Sequence, residues 1–175
     1  MQDDMNSCSI VCVNSLETIR SVLVAEKWAD TSQGKLGTFR DALNHARTVQ
    51  EYAMNVKGLE RSYAWATGME AYILDKLGDF ENAIKAQLKT IELAAPERVL
   101  TQYHYRYNLG CYLVKAGRLD EALEPLKQAI LAGGEEARVA IWREEELNPI
   151  TSSLIYVGKL QPQLGAKPAP STDAG

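Results

Sequence analysis

The sequence predicts an all-α fold: a helix–turn–helix unit repeated about three times and closed by a capping helix toward the C-terminus. Three observations lead there. The segments Gly37-Thr-Phe-Arg-Asp-Ala-Leu43, Gly78-Asp-Phe-Glu-Asn-Ala-Ile84 and Gly117-Arg-Leu-Asp-Glu-Ala-Leu123 align without gaps. Behind each of them, apolar residues recur at the spacing that gathers them on one face of a helix. No stretch alternates with the period of a strand, and no Asn-Gly or Asp-Gly hairpin dipeptide occurs.

Length and charge bound the possibilities. The chain has 175 residues, enough for about one domain at roughly 150 residues per domain. A formal net charge of −4 gives it no general attraction to a phosphate backbone, so nucleic acid is not an expected partner. No apolar run approaches the roughly 18 residues of a membrane span, so no membrane insertion is expected. The start, Met1-Gln-Asp-Asp, lacks the basic and apolar regions of a signal peptide. Cys8, Cys12 and Cys111 are too few for a disulfide framework. Together these favour a cytoplasmic location. Cys8 and Cys12 would share a helix face, but His45 and His104 are remote in sequence, and no zinc set forms. No metal and no cofactor are expected.

The elements follow in order. Residues 1–13 are an N-terminal segment, and residues 14–132 hold the three repeats. In the first repeat, Ala29 to Lys35 reads as a loop before Gly37, and Phe39, Ala42, Leu43, Ala46, Val49 and Ala53 form the stripe of a helix behind it. In the middle repeat, Leu59, Tyr63, Ala66 and Leu74 share a stripe before Gly78. Trp65, Met69, Tyr72 and Ile73 lie off it, as on a helix covered from two sides. Phe80, Ala83, Ile84, Leu88 and Ile91 follow. In the last, Tyr103, Gly110 and Leu113 precede Gly117, and Leu119, Ala122, Leu123, Leu126, Ala129 and Ile130 follow. Each glycine supplies the left-handed cap that ends a first helix. Pro125 falls beyond the first turn of its helix, where proline costs roughly 3 kcal/mol, so a local kink is expected there.

The stretch from Asn108 to Ile130 resembles the tetratricopeptide repeat family. It carries the Leu109-Gly110 pair, turn Gly117, Ala122 and Ala129. Ala71 to Leu93 is similar, departing at Glu70 and Thr90. The resemblance covers residues 14 to 132. It implies a right-handed superhelix in which first helices line a concave groove, and it implies binding of a partner's peptide segment without catalysis. Aligning the turn glycines then places Trp65, Tyr72 and Lys76 in the groove from the middle repeat. His104, Tyr107, Asn108, Cys111 and Lys115 follow from the last, and Lys27 and Thr31 from the first. A carboxylate clamp of the kind some family members use is interrupted at Met69, His104 and Thr31.

Gly133-Gly134 is expected to end the last repeat's second helix. Ala137 to Leu147 reads as a further short helix carrying Val139, Ala140, Ile141 and Trp142, stopped by Asn148-Pro149. Glu144-Glu-Glu-Leu-Asn-Pro149 is similar to the segment that closes the last repeat in bacterial relatives. The capping segment spans 135–160 and hides an apolar face that the last repeat would otherwise expose. Residues 161–175, rich in Pro, Ala, Gly and Ser, are expected to form a disordered tail.

No sequence signature of an enzyme is present: no Gly-rich dinucleotide or phosphate loop, no His-Glu-x-x-His, no Gly-x-Ser-x-Gly. Glu144, Glu145 and Glu146, consecutive on a helix, would point apart and read as a solvated acidic face. Thr101 to Arg118 holds His104, Arg106, Lys115 and Arg118 among four tyrosines and no acid. The expectation is thus a non-catalytic module whose Trp65, Tyr72, Lys76, His104, Tyr107, Asn108 and Lys115 take an acidic protein or peptide segment. The alternative is a structural subunit that self-associates as a homo-oligomer or serves a larger protein.

Overall fold

The computed structural model describes residues 32–94 and 99–168, with side chains described over 39–94 and 103–168. Seven α-helices and one 3-10 turn account for the regular structure among the described residues, which contain no strand. They are α1 Ser32–Ala53, α2 Glu60–Lys76, α3 Phe80–Ala94, α4 Val99–Lys115, α5 Leu119–Arg143, the 3-10 turn Glu145–Leu147, α6 Asn148–Thr151 and α7 Leu154–Leu164. The chain divides into two compact units, Met1–Ala95 and Pro96–Gly175.

In the first unit α2 packs against both α1 and α3. Its burial on two sides matches its wide apolar surface: Ala64, Ala66, Ala71, Ile73 and Leu74 are all buried. Phe39, Ala42, Ala46 and Val49 of α1 and Ala83 and Ile84 of α3 complete the core, and the alanines let the helices approach closely. Gly78 ends the α2 turn in the left-handed region at φ 78°. Its N–H donates to the Asp75 carbonyl at 3.0 Å, and the Asp79 N–H donates to the Leu74 carbonyl at 2.9 Å. This pair of bonds satisfies carbonyls that the helix end leaves open.

Gly37 behaves otherwise. α1 runs through it from Ser32, so the loop expected up to Lys35 is helix over its described part, and Gly37 ends nothing. A glycine inside a helix costs only about 1 kcal/mol, which continuous turns on both sides outweigh. The left-handed glycine after α1 is Gly58, at φ 95°. A first helix for this repeat, with Lys27 and Thr31, lies outside the described residues.

The second unit repeats the hairpin. Gly117 takes φ 75°, its N–H donates to Val114 O at 2.9 Å, and the Arg118 N–H donates to Leu113 O at 2.8 Å. Behind the turn, Ala122, Leu123, Leu126, Ala129 and Ile130 of α5 pack on Leu109 and Leu113 of α4. The kink expected at Pro125 is displaced: the helix continues through it with helical dihedrals and breaks at Gly134, φ 57° and ψ −132°. Glu121, whose carbonyl loses its donor to the proline, is an exposed residue, so water can take up the lost bond. Gly133 is held for a different reason. A Cβ there would fall 2.7 Å from the Tyr103 ring.

Beyond Gly134 the chain folds back as a cap. Ala137, Ile141, Leu147 and Ile150 are completely buried. Asn148-Pro149 opens α6 instead of stopping the segment, because proline in a first turn forfeits no intrahelical bond. α7 packs on α5, burying Leu160 and Leu164. Arg138 Nε donates to the Leu164 carbonyl at 3.1 Å, which anchors the end of α7 and carries the folded chain past residue 160.

Candidate protein-binding faces

Trp65, Tyr72 and Lys76 lie along one side of α2, spaced by about two helical turns and then about one. Trp65 and Tyr72 are partly exposed and Lys76 is exposed. The Lys76 ammonium sits 5.2 Å from the centre of the Tyr72 ring, a cation–π distance. The neighbouring Glu70 is turned toward α1, where it accepts from Arg47 Nε at 2.9 Å and from Gln50 Nε2 at 2.7 Å.

On α4, His104 is exposed and its ring lies 3.8 Å from that of buried Tyr103, tilted by 36°. Tyr107, Cys111 and Lys115 follow at one-turn intervals down a single stripe, with Asn108 partly buried beside Tyr107. The 3-10 turn lies against this stripe. Tyr107 Oη donates to Glu144 Oε2 at 2.9 Å, and Lys115 Nζ stands 2.6 Å from Glu146 Oε1. Cys111, between them, is buried. Burial, and then the carboxylates of Glu146 and Glu144, push its thiol up to about 12, against smaller opposing effects of Tyr107 and Lys115. Burial likewise drives the Tyr107 phenol well above its ordinary value, aided by Cys111 and Glu144.

Two expectations change here. Glu144 and Glu146 are not a solvated face. The helix ends at Arg143, Glu144 is extended at φ −75° and ψ 114°, and the tight turn after it lets both carboxylates address α4. The basic patch is largely compensated within the second unit. Lys115 meets Glu146, Arg106 Nε donates to Gln128 Oε1 at 2.7 Å, and Arg118 is bound to Glu121 at 2.6 Å. Of the patch tyrosines, Tyr103 and Tyr112 are core residues, while Tyr105 and Tyr107 are partly exposed. The expected site set divides between the units, with three residues on α2 and four on α4.

The profile of the tetratricopeptide repeat family matches residues 68–96 and 103–132. The chain contains two tetratricopeptide repeats. No curated protein and no solved structure gave a match. The first matched stretch runs from within α2 through α3, and the second from within α4 to within α5, each across its Gly-capped turn. Tetratricopeptide repeats are interaction modules that generally mediate contacts between proteins and carry no chemistry of their own. No described helix is long and apolar enough to cross a membrane.

In the second tetratricopeptide repeat, sequence reasoning named Tyr107 and Lys115 as candidates but missed the carboxylates that meet them, Glu144 and Glu146. The available signal was a pair of carboxylates two residues apart, directly ahead of an apolar residue and a proline-containing stop.

Proposed function

We propose that this protein is a non-catalytic interaction module that takes a peptide segment of a partner protein on the first helices of its repeats. The observation that carries the reading is the α2 face. Two aromatic side chains with remaining exposed surface, Trp65 and Tyr72, sit with the exposed ammonium of Lys76 on a helix anchored by α1 and α3. Aromatic groups on a rigid support are the kind that dominate binding energy at interfaces. Lys76 favours a segment carrying a carboxylate. The test compares partner capture by wild type, Trp65→Ala and Lys76→Glu. Both variants should keep the helical circular-dichroism signal and melting temperature, and both should lose capture. The Lys76→Glu loss should be largest at low salt. Retained capture in both would remove α2 as the binding face.

A second reading, self-association, is favoured by one observation. Leu154 and Ile155 at the start of α7 are 91% and 71% exposed, an apolar pair on the outer surface of the cap. Terminal repeats normally present a polar outer face. Sedimentation at increasing concentration, with Leu154→Glu as the control, decides it: a mass that rises for wild type only supports association.

A further inference from the structure

The α4 stripe resembles an occupied site more than a vacant one. A phenol at Tyr107 and an ammonium at Lys115 stand two turns apart, with buried Cys111 between them. The chain's own Glu144 and Glu146 meet these two groups at 2.9 Å and 2.6 Å. Leu147, next in sequence, is completely buried. The segment is neither α-helical nor part of a hairpin. It is a short extended-to-3-10 stretch, with Glu144 also accepting the Glu146 N–H at 3.5 Å. It is delivered by a joint at Gly134 whose φ of 57° and ψ of −132° suit glycine alone and around which a Cβ would touch nothing.

We propose that residues Glu144 to Leu147 are a ligand held in cis: they fill the α4 face of the second repeat and compete there with a partner segment of the same chemistry, two carboxylates two residues apart followed by a large apolar residue. The inference rests on the reading of the protein as a peptide-binding module, but it concerns a different helix from the α2 face. Charge complementarity chooses the partner. Tyr107 donates and Lys115 is cationic, so an acidic segment satisfies both, while a basic one would set like charge against Lys115 and offer the Tyr107 hydroxyl no acceptor. Ile141 and Ile150, on either side of the segment, are buried in the unit's core, so release as proposed lifts the turn between them and uncovers Leu147. A segment docked about 99% of the time weakens a competitor about a hundredfold.

The experiment uses the full chain and a fluorescein-labelled peptide spanning residues 143–150. Wild type should bind it weakly. The double variant Glu144→Gln, Glu146→Gln should bind about tenfold or more tightly, and adding Lys115→Glu to that variant should abolish the gain. Equal affinity for wild type and the double variant overturns the proposal and leaves the segment as a plain cap. Should the double variant melt early, amide exchange on wild type answers instead. Excess peptide should speed exchange over residues 144–147 while leaving 107–115 protected. Unchanged exchange overturns the proposal. Loss of partner capture in Trp65→Ala with an unchanged peptide response separates failure at this face from failure at α2.

Discussion

Gly110 on α4 and Leu126 on α5 meet so closely that a Cβ on the glycine would fall 2.5 Å from Leu126 Cδ2 and 2.7 Å from its Cγ. Leu126 is completely buried and has no room to retreat. Gly110→Ala should therefore destabilise the protein by about 1–3 kcal/mol through overpacking. Leu126→Ala should cost about 2–5 kcal/mol by leaving a cavity. Because the new methyl can enter that cavity, the double variant should lose less than the sum of the two. Urea titrations of the three variants measure all three quantities. Simple additivity would mean that the two positions do not press on each other.

Three glycines that share one sequence pattern should answer alanine with opposite signs. Gly78 and Gly117 hold φ of 78° and 75°, where a Cβ costs about 1–2 kcal/mol. Gly37 lies inside α1, where alanine should add about 0.5–1 kcal/mol. Thermal melts of the single variants should fall for Gly78→Ala and Gly117→Ala and rise for Gly37→Ala.

Cys111 should be chemically silent at neutral pH. Its thiol ionises near 9 in the unfolded chain and is held up to about 12 in the folded one. The folded state thus keeps a proton that the unfolded state loses first. This contribution to stability is complete below pH 9 and is lost as pH rises from about 9 toward 12. Urea midpoints measured from pH 7 to 11 should fall more steeply for wild type than for Cys111→Ala. Alkylation of Cys111 by iodoacetamide at pH 8, followed by mass spectrometry, should proceed only as fast as the protein opens. Prompt labelling in the folded state would contradict the buried placement.

The cap should be structural as well as occupying. Ile141 is completely buried behind Gly134. Ile141→Ala should cost about 2–5 kcal/mol and broaden the melt if the last repeat is uncovered. A melt identical to wild type would mean that the segment adds no cover.

The hairpins were readable because two local signals agreed. A helical stripe led into a glycine, and a helical stripe led out of it, at both Gly78 and Gly117. At Gly37 only the outgoing stripe was clear, and there the structure holds a continuous helix. Trp65, Tyr72 and Lys76 were placed together by aligning the turn glycines with the repeat geometry that the resemblance implies, and helical spacing keeps them on one side of α2. The surroundings of Tyr107 and Lys115 were not readable. Their partners come from Glu144 and Glu146, whose direction depends on where the preceding helix stops. That stop is set by one backbone angle at Glu144, which no residue periodicity encodes. Pro125 misled for a related reason. Its cost falls on an exposed residue's carbonyl, while the real break waits for Gly134.

Most packed pairs in this protein join neighbours along the chain: α1 with α2, α2 with α3, α4 with α5. Such contacts close short loops and form quickly. The 3-10 turn is different, since it reaches α4 only after the whole of α5 has been laid down between them. Its docking is thus expected to be the late step of folding and, run backward, an early step of opening. The second unit then carries a built-in order of events: hairpin first, closure of Glu144 and Glu146 onto Tyr107 and Lys115 last. On a ribosome, the α4 face would stand uncovered for as long as synthesis takes to travel from Lys115 to Leu147.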